Sequence, residues 1–447
     1  MKKKVALSLL ALIVAGCVLL SIGLMVGVYF LFQAQKNYIP PAVVVTESPE
    51  IETQMDQIQQ EVTAIRGLSL KTDLNRALMT PTELKETVVN DFFKDYTPED
   101  AQNDAEVLST LGLLKPGFDL RQFYLDLYTE QVAGYYDSSS KEMYVIADGN
   151  FGGLERMTYA HEFTHALQDQ NYDLENGLKL NDDYCQLETE YCAAVSALVE
   201  GDATLSDQFW FLQYSTDLDK NQVSQFQQTY KSPVYDSAPL YMKNDFLFPY
   251  QQGFDFVNQL YGRKKWQSID DAFKNPPVST EQILHPEKYP LEKPVLVSIP
   301  DLLPILGTGW TEIDRNVMGE WYSYLVFSSG INSQFRVSDE TAKTAAAGWG
   351  GDTYVYYSFD ATDRYLFAWR SAWDSVADTG EFFSTSRDYG LARWGAPSTD
   401  NISSVIWTTD VDGTITIRKS GKDVLWVMSN DQAAYTNVLS GFTDFRE

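Results

Sequence analysis

The stretch "ERMTYAHEFTHALQDQ", residues 155–170, decides the fold, because it carries His161, Glu162 and His165. The chain has 447 residues and only three histidines, two of which stand four positions apart here. In an α-helix, residues four apart lie on one face, so both imidazoles can bind a single divalent ion. Apolar residues form a neighbouring stripe that suits packing on a core. We therefore predict a core-packed helix that holds a metal ion.

Glu162 gives this pattern a catalytic interpretation. It lies beside His165 on the flank of the helix face, where its carboxylate could hold the metal's water, take its proton and pass it to a leaving amine. Zinc accepts imidazole nitrogens as ligands in such sites. Two unrelated surface histidines are the alternative, but a chain so poor in histidine seldom produces this spacing by chance. The pattern favours zinc-dependent hydrolysis.

A catalytic zinc needs a third protein ligand and an open position for water. The segment "YCAAVSALVEGDATL", residues 191–205, offers Glu200 at the end of a run of small and apolar residues. A carboxylate buried there without a cation would be costly, and a zinc ion would remove that cost. Glu188 and Glu190 in "QLETEYC" are rival ligands. A glutamate at a helix end that faces water is the structural alternative.

The N-terminus predicts a membrane anchor. Residues 5–32 contain no charged side chain and follow three lysines at positions 2–4. About 20 apolar residues cross a bilayer as a helix, and flanking lysines favour the cytoplasmic side. We expect a cytoplasmic stub over 1–4, a transmembrane helix over 5–32 and the rest of the chain outside the cell membrane. A cleaved signal peptide, or a lipoprotein with its lipid on Cys17, are the alternatives.

The remaining chain divides into three parts. Residues 33–60 are polar and carry two adjacent prolines, which is typical of a linker. Residues 61–300 hold a helical segment, a β-hairpin around the Ser-rich turn before the histidines, and further helices. Residues 301–447 lean toward β-structure, with a hairpin tip at Ser420-Gly421, and are expected to pack on the core as an α+β region. The net charge of −28 argues against a nucleic-acid partner.

The two cysteines before Glu200 are expected to be free thiols. Cys185 and Cys192 are seven positions apart, which on one straight helix separates their Cα atoms by about 10 Å. A disulfide requires less than about 7 Å. A bridge would therefore require Cys185 to lie in the loop before the helix.

The motifs of this chain resemble a known family. "HEFTH" with a downstream "LVEGDA" is similar to the gluzincin metallopeptidases of thermolysin type. The chain resembles still more closely an uncharacterised group of membrane-anchored bacterial and archaeal proteins, in which "AGYYD…YV" precedes "HExTHALQDQ". Motifs of the form "FPYxxGxxFV", "STEQILHPEKY" (residues 279–289) and "AAGWGGDTY" (residues 346–354) then follow. The resemblance covers roughly residues 65–420 and implies an α+β fold with the HExxH helix beside a small β-sheet.

The resemblance also implies roles for single residues. The zinc ligands would be His161, His165 and Glu200, with Glu162 as the general base. Two features depart from the family pattern: the gap from His165 to Glu200 is longer, and Asp202 does not stand four residues after Glu200. Thermolysin-like enzymes keep an acid at that position behind a zinc-bound histidine. The role of Asp202 therefore stays open.

Two further predictions concern the substrate. The third histidine, His285, is expected on a loop or helix start, where it could donate a hydrogen bond to the oxyanion, as a distant histidine does in the resembled enzymes. Tyr289 could do the same, and a loop-fastening histidine is the structural alternative. The segment "MYVIAD", residues 143–148, alternates like an edge strand that could pair with an extended substrate. An ordinary sheet strand is the alternative.

These observations predict a membrane-anchored zinc metallopeptidase that hydrolyses peptide bonds outside the cytoplasmic membrane. Its partners would be a peptide or protein substrate and the membrane, reached through the N-terminal helix. A zinc-stapled cell-surface binding or scaffold protein without turnover is one alternative, and a zinc hydrolase of non-peptide amides is another. Glu162 argues against the scaffold, because a purely structural metal site has no use for a base.

Overall fold

The computed structural model describes residues 49–88, 90, 93, 96–147, 151–359 and 362–445. The predicted transmembrane helix over 5–32, the stub before it and linker residues 33–48 lie outside these ranges. Within them, no helix is both long and apolar enough to cross a bilayer. The described chain is a mixture of helices and strands, which agrees with the α+β prediction.

The first helix, α1, spans Pro49–Arg66. It begins inside residues 33–60, the range predicted as a linker, so residues 49–60 are helical instead. These residues form a helix because apolar side chains recur three and four positions apart. The resulting apolar stripe packs against the part of the chain that follows. All members of this stripe are buried: Ile51, Met55, Ile58 and Val62.

A small sheet follows α1. Its elements are β1 (Asn75–Met79), β2 (Gly134–Asp137) and β3 (Glu142–Ile146), and the helices between β1 and β2 are α2 (Pro81–Thr87), α3 (Pro98–Thr110) and α4 (Leu120–Gln131). Helices α2 and α3 both begin at a Thr-Pro pair, where Thr80 and Thr97 form capping boxes with acidic residues three positions later. The hairpin of β2 and β3 around the Ser-rich turn is confirmed.

The edge-strand prediction for residues 143–148 is wrong. Strand β3 is the central strand of the order β1-β3-β2, with Tyr144 opposite Tyr135 of β2 and Val145 beside Leu78 of β1. Alternation of apolar and polar residues along a strand indicates that one face is more buried than the other. It does not indicate how many neighbouring strands there are. In this sheet, β2 is one of the two edge strands.

The central helical part contains eight helices among the described residues. They are α5 (Gly153–Tyr172), α6 (Asp182–Cys185), α7 (Thr189–Tyr214), α8 (Asp217–Thr229), α9 (Pro233–Ser237), α10 (Leu240–Lys264), α11 (Trp266–Lys274) and α12 (Thr280–Leu284). Helix α5 packs against the small sheet on one side and against α1 and α7 on the others. This arrangement buries the middle of α5 almost completely.

Helices α7 and α10 approach each other at backbone contact distance. A Cβ atom on Gly201 would lie 2.2 Å from the carbonyl oxygen of Gly253, and one on Gly253 would lie 2.1 Å from the carbonyl oxygen of Ala197. Only glycine allows this approach. Because Gly201 follows Glu200 directly, this contact also fixes the position of that carboxylate.

We expect Gly253→Ala to destabilise the protein by about 1–3 kcal/mol or more, because the added methyl group must push two helix backbones apart. Gly262→Ala is the matched control in the same helix, since no atom lies within 4 Å of a Cβ at that position. The control should be neutral or slightly stabilising. Urea unfolding of both variants measures the difference, and equal midpoints would contradict the close helix contact.

The C-terminal part is built around a seven-stranded antiparallel sheet of order β4-β5-β6-β10-β9-β8-β7. Its strands are β4 (Trp310–Asn316), β5 (Trp349–Phe359), β6 (Tyr365–Trp373), β7 (Thr399–Asp400), β8 (Ser404–Thr409), β9 (Gly413–Ser420) and β10 (Asp423–Ser429). Its helices are α13 (Leu303–Leu306), α14 (Gly319–Ser328), α15 (Asp339–Ala346), α16 (Val376–Trp394) and α17 (Gln432–Gly441), with a final 3₁₀ turn at Thr443–Phe445. The hairpin of β9 and β10 is confirmed, with Gly421 at positive φ in its turn.

Both faces of this sheet are covered. Along β10, Trp426 packs in a cluster with α16, whereas Leu425 and Val427 pack in a cluster with α17. Burial on both faces explains the unbroken apolar run "VLWVM" in this strand. The first cluster also includes residues of α3 and α14, so the sheet and the helical part share one core.

Cys185 and Cys192 form a disulfide, so the prediction of free thiols is wrong. The prediction assumed one straight helix, but the structure breaks the chain between α6, which ends at Cys185, and α7, which begins at Thr189. This break brings the two Cα atoms to 5.6 Å. Cys185 thus lies before the helix of Cys192, as a bridge requires, although at the end of the short helix α6 rather than in a loop.

Candidate metal centre

The three predicted ligands meet between α5 and α7. The Nε2 atom of His161 lies 3.1 Å from Oε2 of Glu200, and Nε2 of His165 lies 3.4 Å from the same oxygen. One ligand atom from each side chain falls within 4.8 Å of the others, and all three side chains are buried. Tertiary structure therefore brings together a group that the sequence spreads over 40 positions.

The rival carboxylates lie elsewhere. Glu188 is exposed at the start of α7. Glu190 is buried, but it accepts hydrogen bonds from the backbone N–H and the hydroxyl of Thr280, at 2.6 and 2.8 Å. Neither belongs to the group formed by the histidines and Glu200.

A carboxylate behind His161 fixes its tautomer. Nδ1 of this histidine lies 2.8 Å from Oδ2 of Asp207, which is also buried. Because an ionised carboxylate only accepts, Nδ1 carries a hydrogen, and Nε2, which faces Glu200, is the nitrogen that a metal ion would bind. Burial lowers the pKa of His161, but Asp207 and Glu200 outweigh it and raise this pKa above the ordinary histidine value. A proton and a metal ion would therefore compete for Nε2.

An amide, rather than a carboxylate, fixes which ring nitrogen of His165 donates, and this amide belongs to Gln168. Its amide Nε2 donates to the carbonyl oxygen of Val199 and to Oδ2 of Asp202, each at 2.9 Å. Since both partners only accept, the amide oxygen must face His165, where it lies 2.8 Å from Nδ1. Nδ1 is thus the donor, and Nε2 is the nitrogen that faces Glu200.

The structure answers the open question about Asp202. It acts on His165 through Gln168, and Arg66 at the end of α1 donates to its two oxygens at 2.8 and 3.1 Å. Arg66 is itself buried and also donates to Asp270 at 2.7 Å. A continuous buried hydrogen-bond network therefore connects the first helix to a candidate metal ligand.

Several of these supporting residues were not predicted from the sequence. Asp207 stands seven positions after Glu200, and Gln168 stands three after His165, so both lie on the ligand faces of their helices. This spacing could have identified both residues from the sequence. Arg66 has no comparable signal, because it reaches Asp202 across 136 positions.

Glu162 is buried beside the ligands, and neither of its carboxylate oxygens has a hydrogen-bond partner. Burial raises its pKa to about 7, although the two imidazoles act in the opposite direction. Gly134 of the edge strand β2 provides the space for this side chain, since a Cβ there would lie 3.1 Å from Cγ of Glu162. The base candidate therefore lies against the small sheet.

The residues present fit a divalent metal ion. Oε1 of Glu200 is buried without a partner, as are both oxygens of Glu162. Unpaired buried carboxylate oxygens are costly, and a cation beside them would offset that cost. Two imidazole nitrogens and one carboxylate oxygen form a donor set that zinc accepts in catalytic sites.

The structure does not bring His285 to this centre. Its Nε2 lies 2.7 Å from Oε1 of Glu320, and it belongs to no metal-binding group among the described residues. The adjacent helix α12 contacts α7 at Glu190, ten positions or about 15 Å along the helix from Glu200. The hydroxyl of Tyr289 donates to the carbonyl oxygen of Asn275 at 2.6 Å. The oxyanion role of either residue stays a prediction without a supporting contact.

A second cluster of carboxylates already holds a cation of the chain itself. Glu281, Glu292 and Asp374 surround Nζ of Lys288 at 2.6, 2.8 and 2.8 Å. The ammonium group balances their charge at the position that an ion would occupy. This cluster is a network of ion pairs rather than a candidate metal centre.

The chain is similar to one known domain over part of its length. Residues 307–439 match a family described as a domain of unknown function (DUF8575). No curated protein and no solved structure matches the chain. The matched segment covers less than half of the chain and corresponds to the seven-stranded sheet with its helices. The metal centre lies outside it.

Proposed function

We propose that this chain is a zinc-dependent hydrolase of peptide bonds, as the resemblance to gluzincins implies. The observation that supports this most is the buried group of His161, His165 and Glu200, with Glu162 beside it and free of other partners. Both histidines turn Nε2 into this group because their Nδ1 atoms are engaged elsewhere. The two rings are thus oriented for metal binding, and the ion would displace a proton from Nε2.

When bound, zinc would supply a Lewis acid that lowers the pKa of water and polarises a carbonyl group. The chain would supply the proton transfers. Glu162 accepts a proton from the attacking water at its carboxylate and returns it to the leaving nitrogen. Asp207 and Gln168 hold the two imidazole rings in position during this exchange.

The edge strand β2 is the element best placed to orient a peptide. It has a strand partner on one side only, and its Gly134 lies against Glu162. An extended substrate could add to this edge through main-chain hydrogen bonds. This assignment replaces β3, which is paired on both sides.

Complete burial favours one competing function. All four residues of the centre are at most 1% exposed, so substrate access requires displacement of a covering segment. Closed sites are typical of structural zinc, which would suit a zinc-stapled binding protein without turnover. Glu162 argues for the hydrolase, since a structural site gains nothing from an unpaired carboxylate beside it.

The cellular setting belongs to the same proposal. Residues 5–32 would anchor the chain in the cell membrane, with the described part on the extracytoplasmic side. The disulfide between Cys185 and Cys192 supports this side, because disulfides persist in oxidising compartments.

The decisive experiment compares metal content with peptide cleavage. The purified full chain is analysed for zinc and incubated with a mixed peptide library, before and after chelation and again after zinc is restored. We expect about one zinc per chain and cleavage that disappears and returns with the metal. A folded, zinc-loaded chain that cleaves no peptide even after limited proteolytic opening would favour the zinc-stapled binding protein.

The third ligand can be tested with two isosteric variants. Glu200→Gln should weaken zinc binding by at least about tenfold, because a neutral amide is a poorer ligand than a carboxylate. Glu190→Gln changes another buried carboxylate of the same helix and should leave zinc affinity unchanged. Competition with a chromogenic chelator measures both affinities. Loss of zinc in Glu190→Gln alone would move the ligand away from Glu200.

A further inference from the structure

A second cavity lies on the other side of α10. It has a volume of about 310 Å³ and is lined by residues of α10, α12, α14 and α15. His285 and Glu320 line it together with Gln252, Trp321 and Tyr324. The motif around His285, which the metal centre does not use, therefore contributes to a separate site.

Helix α10 separates this cavity from the metal centre. The ring of Tyr250 lies 6.5 Å from the ring of His161, which places that face of α10 toward the ligands. Gln252 lies two positions further, about 200° around the helix. None of the residues of the metal centre lines the cavity.

Two polar atoms of the residues that line this cavity are hydrogen-bond acceptors without a partner. Glu320 is 4% exposed; its Oε1 pairs with His285, whereas its Oε2 is buried without a partner. Oε1 of Gln252 is buried without a partner as well. A ligand that satisfies both must present hydrogen-bond donors, and an anion would face the Glu320 carboxylate.

The aromatic residues favour a positive charge on that ligand. Trp321 and Tyr324 stack with their ring centroids 5.2 Å apart, and the indole N–H of Trp321 is held by Asp245 at 2.9 Å. A cation over such rings is attracted by their negative faces. Lys343 on the cavity wall is already paired with Asp339 at 2.9 Å.

We propose that this cavity binds a guanidinium or alkylammonium group, carried by a basic peptide side chain or by a free amine. Such a group donates to Glu320 and Gln252 while its charge lies against the aromatic pair. The net charge of −28 also draws cations toward the chain. This inference does not depend on zinc or on catalysis.

The test is calorimetric titration of the full chain in detergent with three probes: N-acetylargininamide, neutral N-acetylnorleucinamide, and a pentapeptide with arginine between glycines. We expect saturable binding of the two arginine probes and none of the norleucine probe. Tighter binding of the pentapeptide would assign the site to basic side chains within peptides, and tighter binding of the single capped residue would assign it to small free cations. Absence of saturable arginine binding would overturn the proposal.

Variants locate the binding. Glu320→Gln should weaken it by about 10- to 100-fold, since a hydrogen bond to a charged group is lost, and Gln252→Leu should weaken it without changing charge. Glu287→Gln is the control, because this exposed carboxylate lies near His285 but outside the cavity. Thermal melts show whether each variant is folded. If Glu320→Gln does not fold, the affinity of Gln252→Leu alone tests whether the probes bind in this cavity. Unchanged affinity in a folded cavity variant, or loss of binding on zinc chelation, would overturn the assignment.

Discussion

Glu162→Gln should abolish most peptide hydrolysis while the zinc stays bound. The amide has the shape of the carboxylate but cannot accept a proton from water, and a positioned general base contributes about 10²–10⁴-fold in rate. Zinc should remain because Glu162 is not one of the three grouped ligands. Stability should not fall, since the variant replaces an unpaired buried carboxylate by a neutral group.

Three measurements on one preparation check this prediction: zinc content, melting temperature and kcat/KM on a peptide that the wild type cleaves. Glu190→Gln serves as control, because it makes the same chemical change at a buried carboxylate that contacts Thr280 instead of the metal centre. An active wild type whose Glu162→Gln form cleaves at the same rate would exclude Glu162 as the base.

Replacing His161 and His165 together by alanine should remove the zinc entirely. Two of three ligands disappear, and a single remaining carboxylate does not hold zinc at ordinary concentrations. The double variant should also melt at a lower temperature than the zinc-loaded wild type, because metal binding to the folded state adds to its stability. Glu200 and Asp207 would in addition lose their buried partners.

His285→Ala is the matched control for metal content, as it changes the only other histidine of the chain. That side chain pairs with Glu320, so zinc should stay at about one per chain. Elemental analysis after extensive dialysis gives the comparison. Stoichiometric zinc in the double variant would show that the ion lies elsewhere.

Local sequence determined much of the candidate metal centre. The spacing of His161 and His165 places both rings on one helix face, whatever the surrounding fold, because the helical repeat is a property of the backbone. The apolar surroundings of Glu200 indicated a buried carboxylate that needs a cation. Strands and hairpins could also be predicted where turn residues separate runs of alternating apolar and polar residues, as in β2 and β3.

Other features depend on contacts between distant segments, and only the tertiary structure decided them. Arg66 reaches Asp202 because α1 packs across α5 and α7. The place of β3 at the centre of its sheet depends on β1, which lies more than sixty positions earlier and leaves no mark on the pattern of β3. The disulfide depends on a helix break of three residues, 186–188.

The separation of His285 from the metal centre has the same physical cause. Sequence supplies the identity of three histidines and the local geometry of two, because hydrogen bonds within a helix fix relative positions over a few residues. The third is placed by the packing of α12 and α14, which directs it to Glu320 on the far side of α10. Side chains far apart in the chain meet only where the core brings their elements together. The sequence therefore determined which chemical groups the candidate centre can use. The tertiary structure decided which residues belong to that centre and how deeply they are buried.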